Sequence, residues 1–195
     1  MTYRLDTAPA TEPVTLADAK QHMRVDGAAD DVLIEDLIAA ARRYLDGRHG
    51  RLGRALITQT WTLTLATWPR VIELDFPPVQ AVGSIEYVDP AGTTQTLDPA
   101  KYRVRGLNAT EPATVRRAPD AEWPDVADDP EAITVTFTAG YGDNPADVPE
   151  PIRHALKLLI ADWYDKREAS MAVNGLSEIP TGVEDIVTQY RNWAF

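Results

Sequence analysis

Ile57-Thr58-Gln59-Thr60-Trp61-Thr62-Leu63-Thr64-Leu65 decides how this chain is read. Apolar residues at 57, 61, 63 and 65 share one parity, and threonines at 58, 60, 62 and 64 share the other. Side chains alternate faces along a strand, so the stretch predicts a strand with one face buried and the other polar, the habit of antiparallel sheets. Working outward toward the C-terminus, the same short-strand texture continues at 71–74, 84–88, 94–97, 102–104, 114–116 and 133–138. Asp89-Pro90-Ala91-Gly92 makes a turn between two of them, while Pro77-Pro78 and the stretch from Pro119 to Pro130 interrupt the run. Residues 55–140 are therefore expected to form a β-rich unit.

On both sides of that unit the hydrophobic period changes to that of a helix. Upstream, Thr15 caps a short helix in which Asp18 stands three residues on, a variant of the capping box, and Leu16, Ala19 and Met23 share a face. A second helix opens at Asp30-Asp31, where carboxylates suit the positive end of the dipole. Its apolar stripe is Leu33, Leu37, Ile38, Ala41 and Leu45, and Gly47 ends it. Downstream, Pro149-Glu150-Pro151 introduces a helix with Ile152, Leu156, Leu159, Ile160 and Trp163 on one face. Met1 to Pro13 reads as an extended arm, and after Glu168 the breakers Asn174-Gly175 and Pro180-Thr181-Gly182 precede a short helix. The expected class is α+β: a small helical bundle with an inserted antiparallel β-rich unit and an extended C-terminal tail. Its segments are 1–54 (arm and two helices), 55–140 (insertion), 141–168 (the helix completing the bundle) and 169–195 (tail).

Composition narrows the chemistry. With 30 acidic against 19 basic residues the net charge is −11, a poor basis for wrapping DNA, whose phosphates are bound by Lys and Arg. Cysteine is absent, which removes disulfides, thiolate metal sites and cysteine nucleophiles together. No run of about 20 apolar residues suggests a membrane span, and Met1-Thr2-Tyr3-Arg4-Leu5-Asp6 does not open like a secretory signal, so a cytoplasmic protein with no membrane partner is expected. His22, His49 and His154 stand on separate segments without ligand spacing, so no metal is expected. Phosphate-loop, dinucleotide and nucleophile-elbow motifs are missing. Gly140-Tyr141-Gly142-Asp143-Asn144-Pro145 reads as a strand-to-helix connector. Carboxylate pairs such as Asp128-Asp129 are frequent in a chain so acidic, and read as solvated turns. No catalytic residue and no cofactor is expected.

Two features invite an interaction. Arg48-His49-Gly50-Arg51-Leu52-Gly53-Arg54 concentrates positive charge; it either touches a phosphate or an acidic partner, or offsets the acidic background at a helix C-terminus. The last residues, with Ile186, Tyr190, Trp193 and Phe195, carry large apolar groups that must fold back or dock on a neighbour, and docking is the expected outcome.

Several stretches resemble the head–tail connector (adaptor) proteins of long-tailed bacteriophages and of gene transfer agents. They are Pro13–Lys20 through Asp26, Asp30–Ile34 through Arg42, Ala55–Trp61, Pro77–Gln80, Thr138–Gly142, and Val148–Ile152 leading to Ala161–Tyr164. The resemblance implies a structural protein at the virion neck, assembled in the host cytoplasm. It implies a ring, dodecameric like the portal, that extends the DNA channel and offers an attachment surface to the tail. Implied partners are the portal protein, neighbouring copies, a tail-proximal stopper or tail terminator protein, and double-stranded DNA that passes without specific binding. Ile179, Val183, Ile186, Tyr190, Trp193 and Phe195 are the expected portal-docking residues, resting more on their apolar character than on the family pattern. Arg42, Arg43, Arg48, Arg51 and Arg54 are the expected subunit-interface residues. Deletion beyond Glu168 is expected to leave the fold intact. The competing readings are a monomeric binding module, or a carboxylate-based hydrolase borne on the β-rich unit.

Overall fold

The computed structural model describes residues 1–166 and 180–192, which form two compact units. One contains 1–10 and 58–141, and the other contains 11–57, 142–166 and 180–192. The class is α+β, as read from the sequence.

The β unit is built on two antiparallel sheets. β1 (Thr2–Thr7), β2 (Gln59–Leu65), β4 (Val79–Val88), β5 (Thr94–Thr96) and β8 (Ile133–Ala139) form the larger, in the order β1-β2-β8-β4-β5. β3 (Ile72–Leu74), β6 (Tyr102–Arg105) and β7 (Ala113–Arg117) form the smaller, in the order β3-β7-β6. β2 and β8 pair without a slip from Gln59↔Ala139 to Leu65↔Ile133, and Val135, Phe137 and Ala139 alternate inward along β8. The interior holds an aromatic cluster: Trp61 lies 4.5 Å from Phe76, and Tyr3 meets Phe76 edge-on at 5.0 Å. Leu63, Ile85, Ile133, Val135 and Phe137 are fully buried around it.

The first residues correct the reading of an extended arm. Thr2–Thr7 is an edge strand on β2, with Tyr3 opposite Leu63 and Leu5 opposite Trp61. The Tyr3 hydroxyl donates to the Glu73 carbonyl at 3.0 Å, and Thr62 donates to the Asp6 carboxylate. Tyr3 and Leu5 alternate with the polar Thr2, Arg4 and Asp6, but over only six residues, and pairing with β2 decides the strand. The opening segment therefore goes with the β unit, not with the bundle.

The helical unit contains α1 (Leu16–Met23), α2 (Asp31–Leu45), α3 (Glu150–Asp165) and α4 (Thr181–Tyr190). Thr15 caps α1, accepting from the Asp18 amide at 3.1 Å and donating to the Asp18 carboxylate at 2.7 Å. Along α2 the buried residues are Ile34, Ile38, Ala41 and Leu45; Leu33 and Leu37 are only half-buried, so the stripe is turned slightly from the expected one. α3 buries Ile152, Ala155, Leu156, Leu159 and Ile160, and Trp163 packs edge-on against Tyr44 at 5.8 Å. Among the described residues no helix is long and apolar enough to cross a membrane.

The connector from β8 to α3 behaves as expected. After Gly140, Asn144 and Asp147 cap a single 3₁₀ turn at Pro145–Asp147 that leads into α3. A Cβ on Gly142 would collide with the Asp147 side chain at 2.3 Å, so this turn needs glycine there.

Candidate interaction surfaces

The arginine-rich stretch after α2 is largely consumed by the fold. The amide of Leu52 donates to the Leu45 carbonyl at 3.0 Å, and that of Gly47 to the Arg54 carbonyl at 2.7 Å. Gly50 lies so close to the helix end that a Cβ would meet the Asp46 carbonyl oxygen at 2.2 Å. Arg54 is buried and donates through Nε to the Tyr190 carbonyl, and the Asn192 amide donates to the Leu52 carbonyl at 2.8 Å. The loop is thus the seat of the α4 C-terminus. Arg42 is likewise engaged within the chain, with Glu12 at 2.7 Å and Asp46 at 3.6 Å, while the Asp46 carboxylate accepts from the Leu56 amide at 2.8 Å. Of the five arginines expected at a subunit interface, Arg42 and Arg54 hold their own unit together. Arg43, Arg48 and Arg51 are exposed, with Arg51 reaching over the Tyr44 ring at 5.3 Å.

The C-terminal segment is not a free arm over its described part. α4 packs on α3: Val183 is fully buried, Val187 nearly so, and Gly182 approaches the Leu158 side chain closely enough that a Cβ would touch it at 3.7 Å. Val183 is therefore a core residue, and removing everything beyond Glu168 strips a packed helix from the unit instead of leaving it intact. Ile186 and Tyr190 are half-buried, with part of each side chain toward solvent. Ile179, Trp193 and Phe195 lie outside the described residues.

The sequence reading missed a third surface. β6 and β7 pair with Arg103 opposite Arg116 and Arg105 opposite Thr114. Arg103 and Arg105 are two apart on one strand, so all three arginines share the outward face of the small sheet, while Ile72, Leu74, Ala113 and Val115 fill the inward one. All three are exposed. At the same end, Trp68 and Trp123 stack at 4.5 Å with 9° between their planes, and the Trp68 indole donates to the Pro124 carbonyl at 2.9 Å. Together with Pro69, Arg70, Arg116 and Arg117 they line an open cleft of about 350 Å³. The signal was present as the alternation Tyr102-Arg103-Val104-Arg105, but three separate segments supply the charge and only strand pairing assembles it.

Among the described residues no three His, Asp or Glu side chains converge as metal ligands. His22 and His154 meet edge-on at 5.9 Å, and burial, Lys157 and His154 together lower the pKa of His22.

A family model described as phage gp6-like head–tail connector protein matches residues 13–85 and 127–191, more than half of the chain. No curated protein matches it. Among solved structures the chain is similar to one in the neck of an empty gene transfer agent particle computed with C6 symmetry, at TM-score 0.79 and 23% identity. It is similar to one in the virion of a native gene transfer agent particle, at TM-score 0.78 and 24% identity. A third lies in the neck of a native particle computed with C12 symmetry, at TM-score 0.72 and 23% identity. Each comparison covers 100% of this chain and 97% of the other, and at such identities the likeness is one of fold.

Proposed function

This chain belongs to the phage gp6-like head–tail connector family, and from that premise we propose that it forms a ring beneath the portal of a tailed phage or gene transfer agent, at the virion neck. The ring extends the DNA channel and gives the tail, through a stopper or terminator protein, a surface to attach to. The observation that carries this reading is the family match on both sides of the segment 86–126. The fold shared along the whole chain with a neck component computed with twelvefold symmetry supports a dodecamer. The work is assembly, with no catalytic step. Net charge −11 suits a channel past which phosphate slides without adhering.

Portal docking falls to the exposed parts of Ile186 and Tyr190, continued by Ile179, Trp193 and Phe195. Neighbouring copies meet through the helical unit, where Arg43, Arg48 and Arg51 are exposed. The test is cryo-electron microscopy of this chain assembled with its particle's portal. A coaxial ring with the C-terminal residues against the portal is expected. Absence of any ring, with the chain remaining monomeric beside the portal, overturns the reading. Trp193→Ala with Phe195→Ala is expected to abolish attachment to heads while the thermal midpoint stays unchanged.

A further inference from the structure

The outward face of the small sheet places like charges where a sheet ordinarily avoids them. Arg103 and Arg116 are direct cross-strand partners, an arrangement that destabilises a strand pair. Arg105 follows two residues along the same face, and Arg70 and Arg117 flank the indoles of the adjoining cleft. Among the described residues, Arg70, Arg103, Arg105 and Arg116 form no ion pair. Glu73, on the same face beyond Thr114, pairs with none of them. This is an uncompensated basic face on a chain whose net charge is −11.

The same unit carries the complementary patch. Asp128, Asp129 and Glu131 are exposed in the loop before β8, and no cation pairs with them among the described residues. The Asp129 carboxylate accepts from the Glu131 amide at 2.7 Å, and its carbonyl accepts from the Ala132 amide at 3.2 Å. Within one copy, then, basic and acidic groups both remain unsatisfied. A head-to-tail contact between identical copies joins two different patches of the same surface, which is the kind of contact that closes a ring.

We propose that the basic face of the small sheet, Arg103, Arg105 and Arg116 with the Trp68–Trp123 cleft beside it, docks on the Asp128-Asp129-Glu131 run of a second copy of this chain. The inference rests on the ring reading above and names a contact of that ring. Arg103, Arg105, Arg116 and Trp123 fall within 86–126, between the stretches the family model matches, while Trp68 lies in the first of those stretches. Protein is favoured over DNA as the occupant because arginines stand around a recess walled by two indoles. A recess of about 350 Å³ admits polypeptide side chains and not a duplex, and Trp and Arg are the residues that anchor protein interfaces.

Sedimentation velocity of the full chain over a range of concentrations tests this. The wild type is expected to associate beyond dimers at low salt and to dissociate at about 0.5 M salt, where exposed pairs are screened. Arg103→Ala with Arg116→Ala, and separately Asp128→Ala with Asp129→Ala, each weaken association by about tenfold or more, roughly 1.4 kcal/mol at 25 °C. A one-to-one mixture of the two variants restores one intact basic–acidic contact per pair, and so associates more than either variant alone and less than the wild type. The arginine variant keeps its thermal midpoint, since a repulsive pair has been removed, and R103K/R116K retains most of the association.

Association equal to wild type in both variants overturns the contact while leaving the ring standing. A wild type that stays monomeric throughout overturns copy-to-copy docking, and the ring is then judged by the neck reconstruction alone. Binding of a 30-bp duplex by the wild type, lost in R103A/R116A, overturns it in favour of nucleic acid.

Discussion

At the scale of single residues, the side chains with most consequence are polar atoms inside the two units. Arg54 is buried with its guanidinium on the Tyr190 carbonyl, so Arg54→Ala leaves that carbonyl without its charged donor. The loss is expected to be about 1.5–3 kcal/mol in urea unfolding, the range for hydrogen bonds to charged groups. Trp61 is the opposite case. Its indole nitrogen is buried with no hydrogen-bond partner among the described residues. Trp61→Phe removes an unmet donor along with some volume, and a change within about 1 kcal/mol is expected, whereas Phe137→Ala in the same core costs about 3–5 kcal/mol. His22 gives a pH signature. Its folded pKa lies below the unfolded value of 6.5, so the native state favours the neutral ring. The stability it contributes is present above pH 6.5 and is lost as the pH falls through that value toward the folded pKa. His22→Gln should flatten that part of the stability curve, with the ring's exposure keeping the effect small. None of these three roles was legible in the sequence. Arg54 looked like surface charge in a glycine-rich loop because nothing local says that a helix more than a hundred residues later will cover it.

At the scale of elements, the two periodicities carried most of the fold. The threonine alternation placed β2 to within two residues, and the helix at Pro149-Glu150-Pro151 began where its prolines said it would. The failures share one cause. β1 alternates over only six residues and is held by the edge of β2; α4 is short and acquires its place from α3 and from the loop at Leu52. Such short pieces depend on packing, since an isolated helix of ten residues is marginal in water. Val183→Asp tests the attachment. Placing an uncompensated charge at a fully buried position is expected to cost about 3–5 kcal/mol. Hydrogen exchange should show the amides of α4 losing protection while those of β2 and β8 keep theirs. Protection retained along α4 in that variant counts against the packing described.

At the scale of the whole molecule, family membership was legible from scattered stretches inside the β unit and on both sides of it, with no catalytic motif to anchor it. The interaction surfaces were less legible, for a physical reason. A basic loop is visible in one dimension, and here it is spent on internal contacts. A basic face drawn from 103, 105 and 116 appears only when β6 and β7 are laid side by side. The order of strands has one more consequence, and it concerns synthesis. β8 is the last strand to leave the ribosome, yet it occupies the centre of the large sheet, with β2 on one side and β4 on the other. Until Ala139 has emerged, those two strands lack the partner both of them need, and β1 has only a solitary ribbon to join. Such non-local pairing makes for slow folding and leaves strand edges open meanwhile. The β unit therefore completes all at once and late, and a nascent chain released short of β8 has no large sheet to fold into.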